Sequence, residues 1–273
     1  MKKNKSFWLS APYILFMVAF TLIPLCVVLY YAMTDVETGK FTWGNIVDLV
    51  QYLPAFGRSI GYSLIAALVC LLIGYPVAYY MSQCSATAQK FLYMLVMLPM
   101  CMSFLLRTLA WVGLLQDTGI INNLLAGLGL PRLPLIRTPG AVILGMVYNY
   151  LPYMILPLYS VICKIDHRLV EAAEDLGCNG RKVFSKVILP LSMPGILTGM
   201  TMVFVPAVST FYISNKLGST ETILIGDIIE RMFKQGDNAN MGAALSLLLM
   251  VLVFVCTGII NRFGGDEEGS VIV

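Results

Sequence analysis

Six long apolar runs constrain this chain more than any other feature of its sequence. Each run is at least 20 residues long, and together they contain one formal charge, Arg107. A helix needs about 20 predominantly apolar residues to cross the hydrocarbon core of a bilayer. The runs are 7–33, 59–81, 91–115, 141–162, 193–213 and 241–260. The chain is therefore predicted to be an all-α membrane protein with six transmembrane helices in a single transmembrane domain, residues 1–273.

The overall composition supports this prediction. Hydrophobic residues make up 58% of the chain and charged residues 12%, against about 45–50% and about 25% in typical soluble domains. Three lysines precede the first apolar run, as they would in a signal peptide. That run is too long for the apolar core of a signal peptide and no small-residue cleavage site follows it, so we expect it to remain as a helix.

The distribution of Lys and Arg indicates how the chain is oriented. With the N-terminus inside, the cytoplasmic segments hold ten basic residues and the longer outer loops hold seven. Cytoplasmic loops of membrane proteins carry an excess of Lys and Arg. The bias is modest, and it predicts that both termini are cytoplasmic.

Cysteine and histidine usage argues against metal and disulfide chemistry. None of the seven cysteines falls in an outer loop, no C-x-x-C pair occurs, and His167 is the only histidine. Structural metal sites need clustered Cys or His ligands, so we expect no metal or other cofactor. The net charge of +3 follows from the loop bias and gives no indication of a nucleic-acid partner.

The near absence of charge in the apolar runs separates three classes of function. An ion-coupled secondary transporter needs ionisable groups in its spans for the coupling ion, and these runs hold no Asp, Glu or His. A membrane enzyme needs catalytic groups there, and none is evident. Neither class is favoured by these runs, and a transport protein that is powered by a separate soluble subunit is the third hypothesis.

The longest inner loop, residues 163–192, is a charged insert between two apolar runs. Asp166 is predicted to cap a first helix, Gly177 to end it with a positive φ, and Asn179 to cap a second helix that ends at Pro190. The first helix has an apolar side and an acidic side. The apolar positions are Leu169, Val170, Ala172, Ala173 and Leu176, and the acidic ones are Glu171, Glu174 and Asp175.

Two partners could cover this insert, lipid headgroups or a soluble protein. The inner leaflet is anionic and attracts basic helices, whereas the first helix presents three carboxylates. This favours a groove on a soluble protein as the partner of the insert.

The same residues carry a resemblance to a known family. Glu171, Ala172 and Ala173, then Gly177, then Val187-Ile188-Leu189-Pro190 resemble the EAA loop of ABC importer permeases. The resemblance implies a type I, MetI-like permease architecture in which this loop forms coupling helices in a cleft of an ATPase. It implies that Glu171, Ala172, Ala173, Gly177, Leu189 and Pro190 are the ATPase-coupling residues.

The resemblance extends along most of the chain. The stretches YPVAYYM, MVYNYLPYMILPLYS, LPLSMPGI and ILIGDIIERMF are similar to the first permease subunit of spermidine/putrescine importers, the PotB type. This implies a bacterial inner-membrane protein that pairs with a second, related permease (PotC type). It also implies ATPase subunits (PotA type) that bind the ATP, and an extracytoplasmic substrate-binding protein (PotD type). An importer for another small solute would have the same architecture.

Aromatic residues are the candidates for a path that carries a polycation, because ring faces attract cations. Tyr148 in the fourth run and Phe211 and Tyr212 at the end of the fifth are such candidates. The 211–215 segment resembles one that lines the outer mouth of the path in the family, where some relatives have Asp in place of Asn215. Interfacial anchoring is the alternative for Tyr148 and Tyr212. Arg107 would repel a cation, which favours a structural role for it, including a side chain that reaches outward to the membrane surface.

Two further patterns concern packing. The apolar positions in 223–232 predict a short amphipathic helix, either interfacial or gating. Gly195 and Gly199 are spaced to allow close approach of two helices.

Overall fold

The computed structural model describes residues 12–35, 39–234 and 238–262, and in these ranges the chain is helical. The longer helices are α1 Pro12–Ala32, α2 Leu53–Gln83, α3 Ala86–Met97, α4 Phe104–Leu115, α5 Ile120–Gly127, α6 Pro139–Ile162, α7 His167–Asp175, α8 Gly180–Leu191, α9 Met193–Val208, α10 Tyr212–Leu217, α11 Ile225–Lys234 and α12 Ala239–Arg262. Short helical turns at Gly44–Val47, Asp48–Tyr52, Leu98–Cys101 and Thr220–Thr222 complete the set. In the described ranges the extended pairing is one isolated bridge, Thr34 to Phe41.

Five segments are long and apolar enough to cross a membrane. They are Pro12–Ala32, Asp48–Gln83, Phe104–Gly127, Pro139–Ile162 and Ala239–Ile260. A sixth is obtained if α8 and α9, which meet at a bend of 62°, are taken as one broken span. The predicted all-α class is confirmed, and a count of five spans, or six with the bent pair taken as one, agrees with the predicted six-helix architecture. Residues 7–11 of the first predicted span lie outside the described residues.

The third predicted span, 91–115, is not one helix. It divides into α3 and α4 around the turn Leu98–Cys101, and Met102 has extended backbone angles (φ −89°, ψ 148°). Pro99 has no backbone N–H and its ring is incompatible with a continuous α-helix at this position. The membrane-length stretch instead starts at Phe104 and continues past the predicted end. The fifth predicted span, 193–213, similarly stops at Val208.

The chain divides into two compact units. One comprises 1–54 and 228–252, and the other 55–227 and 253–273. In the first unit, the Nδ2 atoms of Asn45 and Asn240 both donate to the carbonyl oxygen of Thr34, at 3.0 and 2.6 Å. These buried amides tie the end of α1 to α12.

The second unit has a core built around α6. Twelve residues of this helix are buried, and α9 packs along it. A β-carbon at Gly195 would lie 3.1 Å from the Val161 side chain, and one at Gly199 would lie 2.7 Å from Met154 Sδ. The predicted close approach through these glycines is therefore observed, and it fixes α9 against the most buried helix of the unit.

Candidate functional site

The 163–192 insert folds as two short helices, α7 and α8, which we call the hairpin. The Asp166 carboxylate accepts a hydrogen bond from the Arg168 N–H at 3.0 Å, and the Asn179 side chain accepts one from the Lys182 N–H at 3.0 Å. Each side chain satisfies an N–H group that a helix start leaves without an intrahelical partner. Both predicted caps are confirmed.

Between the two helices, Gly177 has φ +78°. Its N–H donates to the Glu174 carbonyl at 2.8 Å, and the Cys178 N–H donates to the Ala173 carbonyl at 3.1 Å. This pair of bonds is the Schellman arrangement, which satisfies the last carbonyl groups of a helix and requires a left-handed residue at the turn. The predicted positive φ of Gly177 at the end of the first helix is confirmed.

The first helix of the hairpin, α7, leaves its apolar side uncovered. Leu169 is 48% exposed and Leu176 85%, and no residue of α7 is buried. The side chains of Glu171, Glu174 and Asp175 are exposed as well, and in the described ranges none of them forms an ion pair. We call the exposed set Leu169, Glu171, Ala172, Glu174, Asp175 and Leu176 the coupling surface. This surface contains two exposed leucine side chains and three acidic side chains without an ion-pair partner among the described residues. Such a composition suits contact with another protein.

The structure does not bring all the predicted coupling residues together. Glu171, Ala172, Ala173 and Gly177 lie on α7 and its C-terminal cap. Leu189 and Pro190 instead lie in the last turn of α8, next to the bend into α9. Leu189 packs against the buried core of the second unit. Both residues lie where the hairpin joins the spans, and Pro190 is exposed there.

The predicted path residues fall into two separate aromatic groups. Tyr148 makes an edge-to-face contact with Trp111, with ring centroids 5.4 Å apart. Tyr212 contacts Phe104 at 6.2 Å, and Phe104 stacks with Tyr150 at 6.4 Å. Lys216 Nζ lies 5.9 Å from the centroid of the Tyr212 ring, so one face of this ring already holds a cation of the chain itself.

Phe211 and Asn215 complete the predicted outer segment. Both are exposed, and the Asn215 N–H donates to the Phe211 carbonyl at 3.0 Å. The Asn215 side chain forms no hydrogen bond in the described part of the chain. Its amide oxygen is consequently available as an acceptor, although it is a weaker partner for a cation than a carboxylate.

The Arg107 side chain is buried inside the second unit. It is 7% exposed, and its Nε and Nη1 atoms are buried without a hydrogen-bond partner among the described residues. A buried charge without a partner costs free energy. This burial supports the structural role favoured by the sequence rather than a stem that extends outward, and Thr108 and Leu115 of α4 are buried as well.

Three residues at the junction of hairpin and spans were not selected from the sequence. Tyr75 contacts both Phe184 and Ser192, although it is 117 positions away from Ser192 in the chain. Tyr75 lies within the YPVAYYM stretch, but no local pattern indicates its partner.

The predicted amphipathic helix in the loop after α10 is confirmed as α11. It starts beside a close backbone approach: a β-carbon on Gly226 would lie 2.5 Å from the Thr210 carbonyl oxygen. The Ile225 N–H donates to Ser59 Oγ at 2.8 Å. The start of α11 is thus anchored inside the second unit.

Comparison with known proteins agrees with this arrangement. Residues 4–264 match the family of binding-protein-dependent transport system inner membrane components. The chain is 39% identical over 246 residues, 87% of its length and 86% of the relative's, to the spermidine/putrescine transport system permease protein PotB of Haemophilus influenzae. It is 36% identical to PotB of Escherichia coli, over 78% of this chain and 79% of that protein.

A solved structure shares the fold. A chain of a bacterial ABC transporter involved in the import of the acidic polysaccharide alginate superposes with a TM-score of 0.77 at 20% identity, covering 96% of this chain and 97% of that one. The predicted permease architecture is confirmed, and with it the expectation of a multi-pass inner-membrane protein. The chain belongs to the family of binding-protein-dependent transport system inner membrane components.

Proposed function

We propose that this chain is the PotB-type permease subunit of an ATP-driven polyamine importer. It forms half of the translocation path with a second, PotC-type permease. PotA-type ATPase subunits bind and hydrolyse ATP on the cytoplasmic side, and a PotD-type binding protein delivers spermidine or putrescine from outside. The chain itself carries out no chemistry.

The coupling surface is the observation that carries the ATPase part of this proposal. Burying one leucine side chain contributes about 1.5–3 kcal/mol, so an amphipathic helix with Leu169 and Leu176 exposed gains free energy by entering an apolar groove. The three acids beside them favour a groove with a basic rim over an anionic lipid surface. Both helices of the hairpin are capped by their own residues, so the surface is preorganised for docking.

The polyamine part rests on the PotB relatives and on the aromatic groups. Ring faces attract alkylammonium groups by about 0.5–2 kcal/mol each, and the six apolar runs of the sequence lack Asp and Glu that would trap a polycation. Weak, repeated contacts of this kind suit a path from which the substrate must leave. The ammonium group of Lys216, 5.9 Å from the Tyr212 ring centroid, is an internal example of the kind of contact proposed for the substrate.

The test is a site-directed crosslinking experiment in membranes that contain all the importer subunits. A photoreactive label is attached at Ala172→Cys, in a chain otherwise free of accessible cysteines. We expect crosslinks to the ATPase polypeptide. The matched control is Tyr80→Cys, which is 67% exposed on the apolar helix α2 and is expected to crosslink lipid only. Crosslinking of Ala172→Cys to phospholipid alone would refute the coupling assignment.

Uptake of radiolabelled putrescine and spermidine into proteoliposomes then addresses the substrate. ATP-dependent uptake of either one supports the proposal. An importer that crosslinks its ATPase but carries neither polyamine would be a permease for another small solute.

A further inference from the structure

The hairpin is joined to the membrane at one sharp bend. Helix α8 runs from Gly180 to Leu191 and meets α9 at 62°. Pro194 has no N–H to donate to the Pro190 carbonyl, and its ring would clash with that carbonyl in a straight helix. Pro194 therefore favours a bend at this position. Just before it, residues Phe184–Ile188 form a wider π-helical turn.

The Tyr75 side chain of α2 contacts both the π-helical turn and the residue at the bend. The Tyr75 ring makes an edge-to-face contact with Phe184, with centroids 5.5 Å apart. The hydroxyl of the same residue lies 2.9 Å from Ser192 Oγ. Tyr75 is 8% exposed and Ser192 is fully buried. A single tyrosine thus bridges the π-turn and the bend.

The direction of the Tyr75 hydrogen bond follows from the second bond of Ser192. Ser192 Oγ donates to the Leu189 carbonyl at 2.9 Å, which uses its only proton. With the Ser192 proton used in this way, the Tyr75 hydroxyl donates and Ser192 Oγ accepts. The resulting chain, from Tyr75 to Ser192 to the Leu189 carbonyl, fastens α2 to the last turn of α8.

A second ring supports the same contact. Tyr79, one turn after Tyr75 on α2, makes another edge-to-face contact with Phe184 at 6.2 Å. Such aromatic pairs contribute beyond simple area burial. Phe184 is therefore held by two rings of one helix, and displacement of α8 would displace α2 with it.

We infer that Tyr75, Phe184 and Ser192, which we call the joint, transmit movement of the hairpin to the spans. The inference rests on the proposed function, in which the ATPase moves the hairpin. Force applied at the coupling surface reaches α2 through the joint and reaches α9 through the bend. Helix α9 passes it to α6, against which Gly195 and Gly199 lock it. Tyr75 and Ser192 are positioning residues that touch neither ATP nor substrate.

The test uses variants that remove one hydroxyl and leave the packing in place. Tyr75→Phe keeps the ring contact with Phe184, and Ser192→Ala removes the acceptor. Tyr80→Phe, on the exposed side of α2, is the matched control. Each variant is studied as the full chain in detergent, and in the complete importer reconstituted with ATPase, second permease and binding protein.

In detergent we expect a thermodynamic cycle with strong coupling. Tyr75→Phe and Ser192→Ala each lower the melting temperature, and the double variant is no less stable than Ser192→Ala alone, because the two hydroxyls share one interaction. In proteoliposomes we expect unchanged ATPase content in the Tyr75→Phe importer. The amount of polyamine imported per ATP hydrolysed should fall about two- to tenfold, the factor expected for one buried hydrogen bond. Tyr80→Phe should leave both quantities unchanged.

Two results would contradict the transmission role of the joint while leaving the proposed function intact. One is additive destabilisation in the cycle, and the other is an unchanged ratio of import to hydrolysis in a Tyr75→Phe importer that retains its ATPase. If the wild-type chain itself binds no ATPase, the proposed function fails, and the transmission role fails with it.

Discussion

Gly177 owes its place in the hairpin to backbone conformation and not to crowding. Its φ is +78°, while a β-carbon at this position would meet nothing within 4 Å. In the left-handed region a β-carbon approaches its own carbonyl oxygen, which costs about 1–2 kcal/mol for most residues and less for Asn. A loss of ATPase binding on substitution of Gly177 would therefore be due to strain in the turn between α7 and α8.

We expect Gly177→Ala to weaken ATPase binding about five- to thirtyfold, the factor that corresponds to this strain, without affecting membrane insertion. Gly177→Asn should recover most of the loss, because Asn tolerates positive φ. Gly180→Ala is the control, since its β-carbon is also free of neighbours and its φ is not positive. The measurement is the amount of ATPase that co-purifies with the tagged chain. Equal losses in Gly177→Ala and Gly180→Ala would contradict the role of the turn.

At the scale of helices, α9 can approach α6 closely because Gly195 and Gly199 have no side chains. Met154 is fully buried, and a β-carbon at Gly199 would lie 2.7 Å from its Sδ atom and 3.3 Å from its backbone carbonyl oxygen, so a change of the Met154 side chain alone would not remove the crowding. Overpacking of a filled core costs about 1–3 kcal/mol. Replacing glycine by alanine inside a helix otherwise stabilises by about 0.5–1 kcal/mol.

These two effects predict opposite signs at two glycines of the spans. Gly199→Ala is expected to lower the melting temperature of the purified chain. Gly258→Ala, where a β-carbon meets nothing within 4 Å, is expected to leave the melting temperature unchanged or raise it. The measurement is thermal unfolding in detergent followed by circular dichroism. A Gly199→Ala chain as stable as Gly258→Ala would show that α6 and α9 are not locked together.

The elements that were predicted well are those fixed by nearby residues. Asp166 and Asn179 cap helices that begin beside them, and Gly177 ends one, because caps and left-handed turns are decided within a few positions. Apolar length likewise predicts most of the spans. The break at Pro99 was missed because prolines occur inside many membrane helices, where the surroundings decide whether the helix continues. Pro76 illustrates this, since α2 continues through it.

The sequence predicts only part of the candidate site, for a related reason. The coupling surface is a property of one short helix and its pattern was visible in the sequence. The contacts of Tyr75 with Ser192, of Tyr148 with Trp111 and of Phe104 with Tyr212 join residues far apart in the chain. Their pairing depends on how helices pack, which periodicity within one segment does not determine.

For the whole molecule, the function depends on which side of the membrane the hairpin faces. The ATP-hydrolysing partners are cytoplasmic in the proposed importer, so the coupling surface must face the cytoplasm. The loop residues 128–138 precede α6, and the hairpin follows it. Because α6 is one of the membrane-length helices, Arg132 and Leu176 should lie on opposite sides of the bilayer.

Cysteine labelling checks this orientation. Cys26, Cys84, Cys101, Cys163, Cys178 and Cys256 are replaced by Ser, and Cys70 is retained because it is buried. Leu176→Cys and Arg132→Cys are then introduced separately, both at exposed positions. With a membrane-impermeant maleimide, we expect Leu176→Cys to react only in inverted vesicles and Arg132→Cys only in intact spheroplasts.

Added ATPase should protect Leu176→Cys and leave Arg132→Cys unaffected, because only the former lies on the coupling surface. If the sidedness is reversed, the excess of Lys and Arg on the inner segments does not determine the topology of this chain. The hairpin would then lie outside the cell, out of reach of a cytoplasmic ATPase.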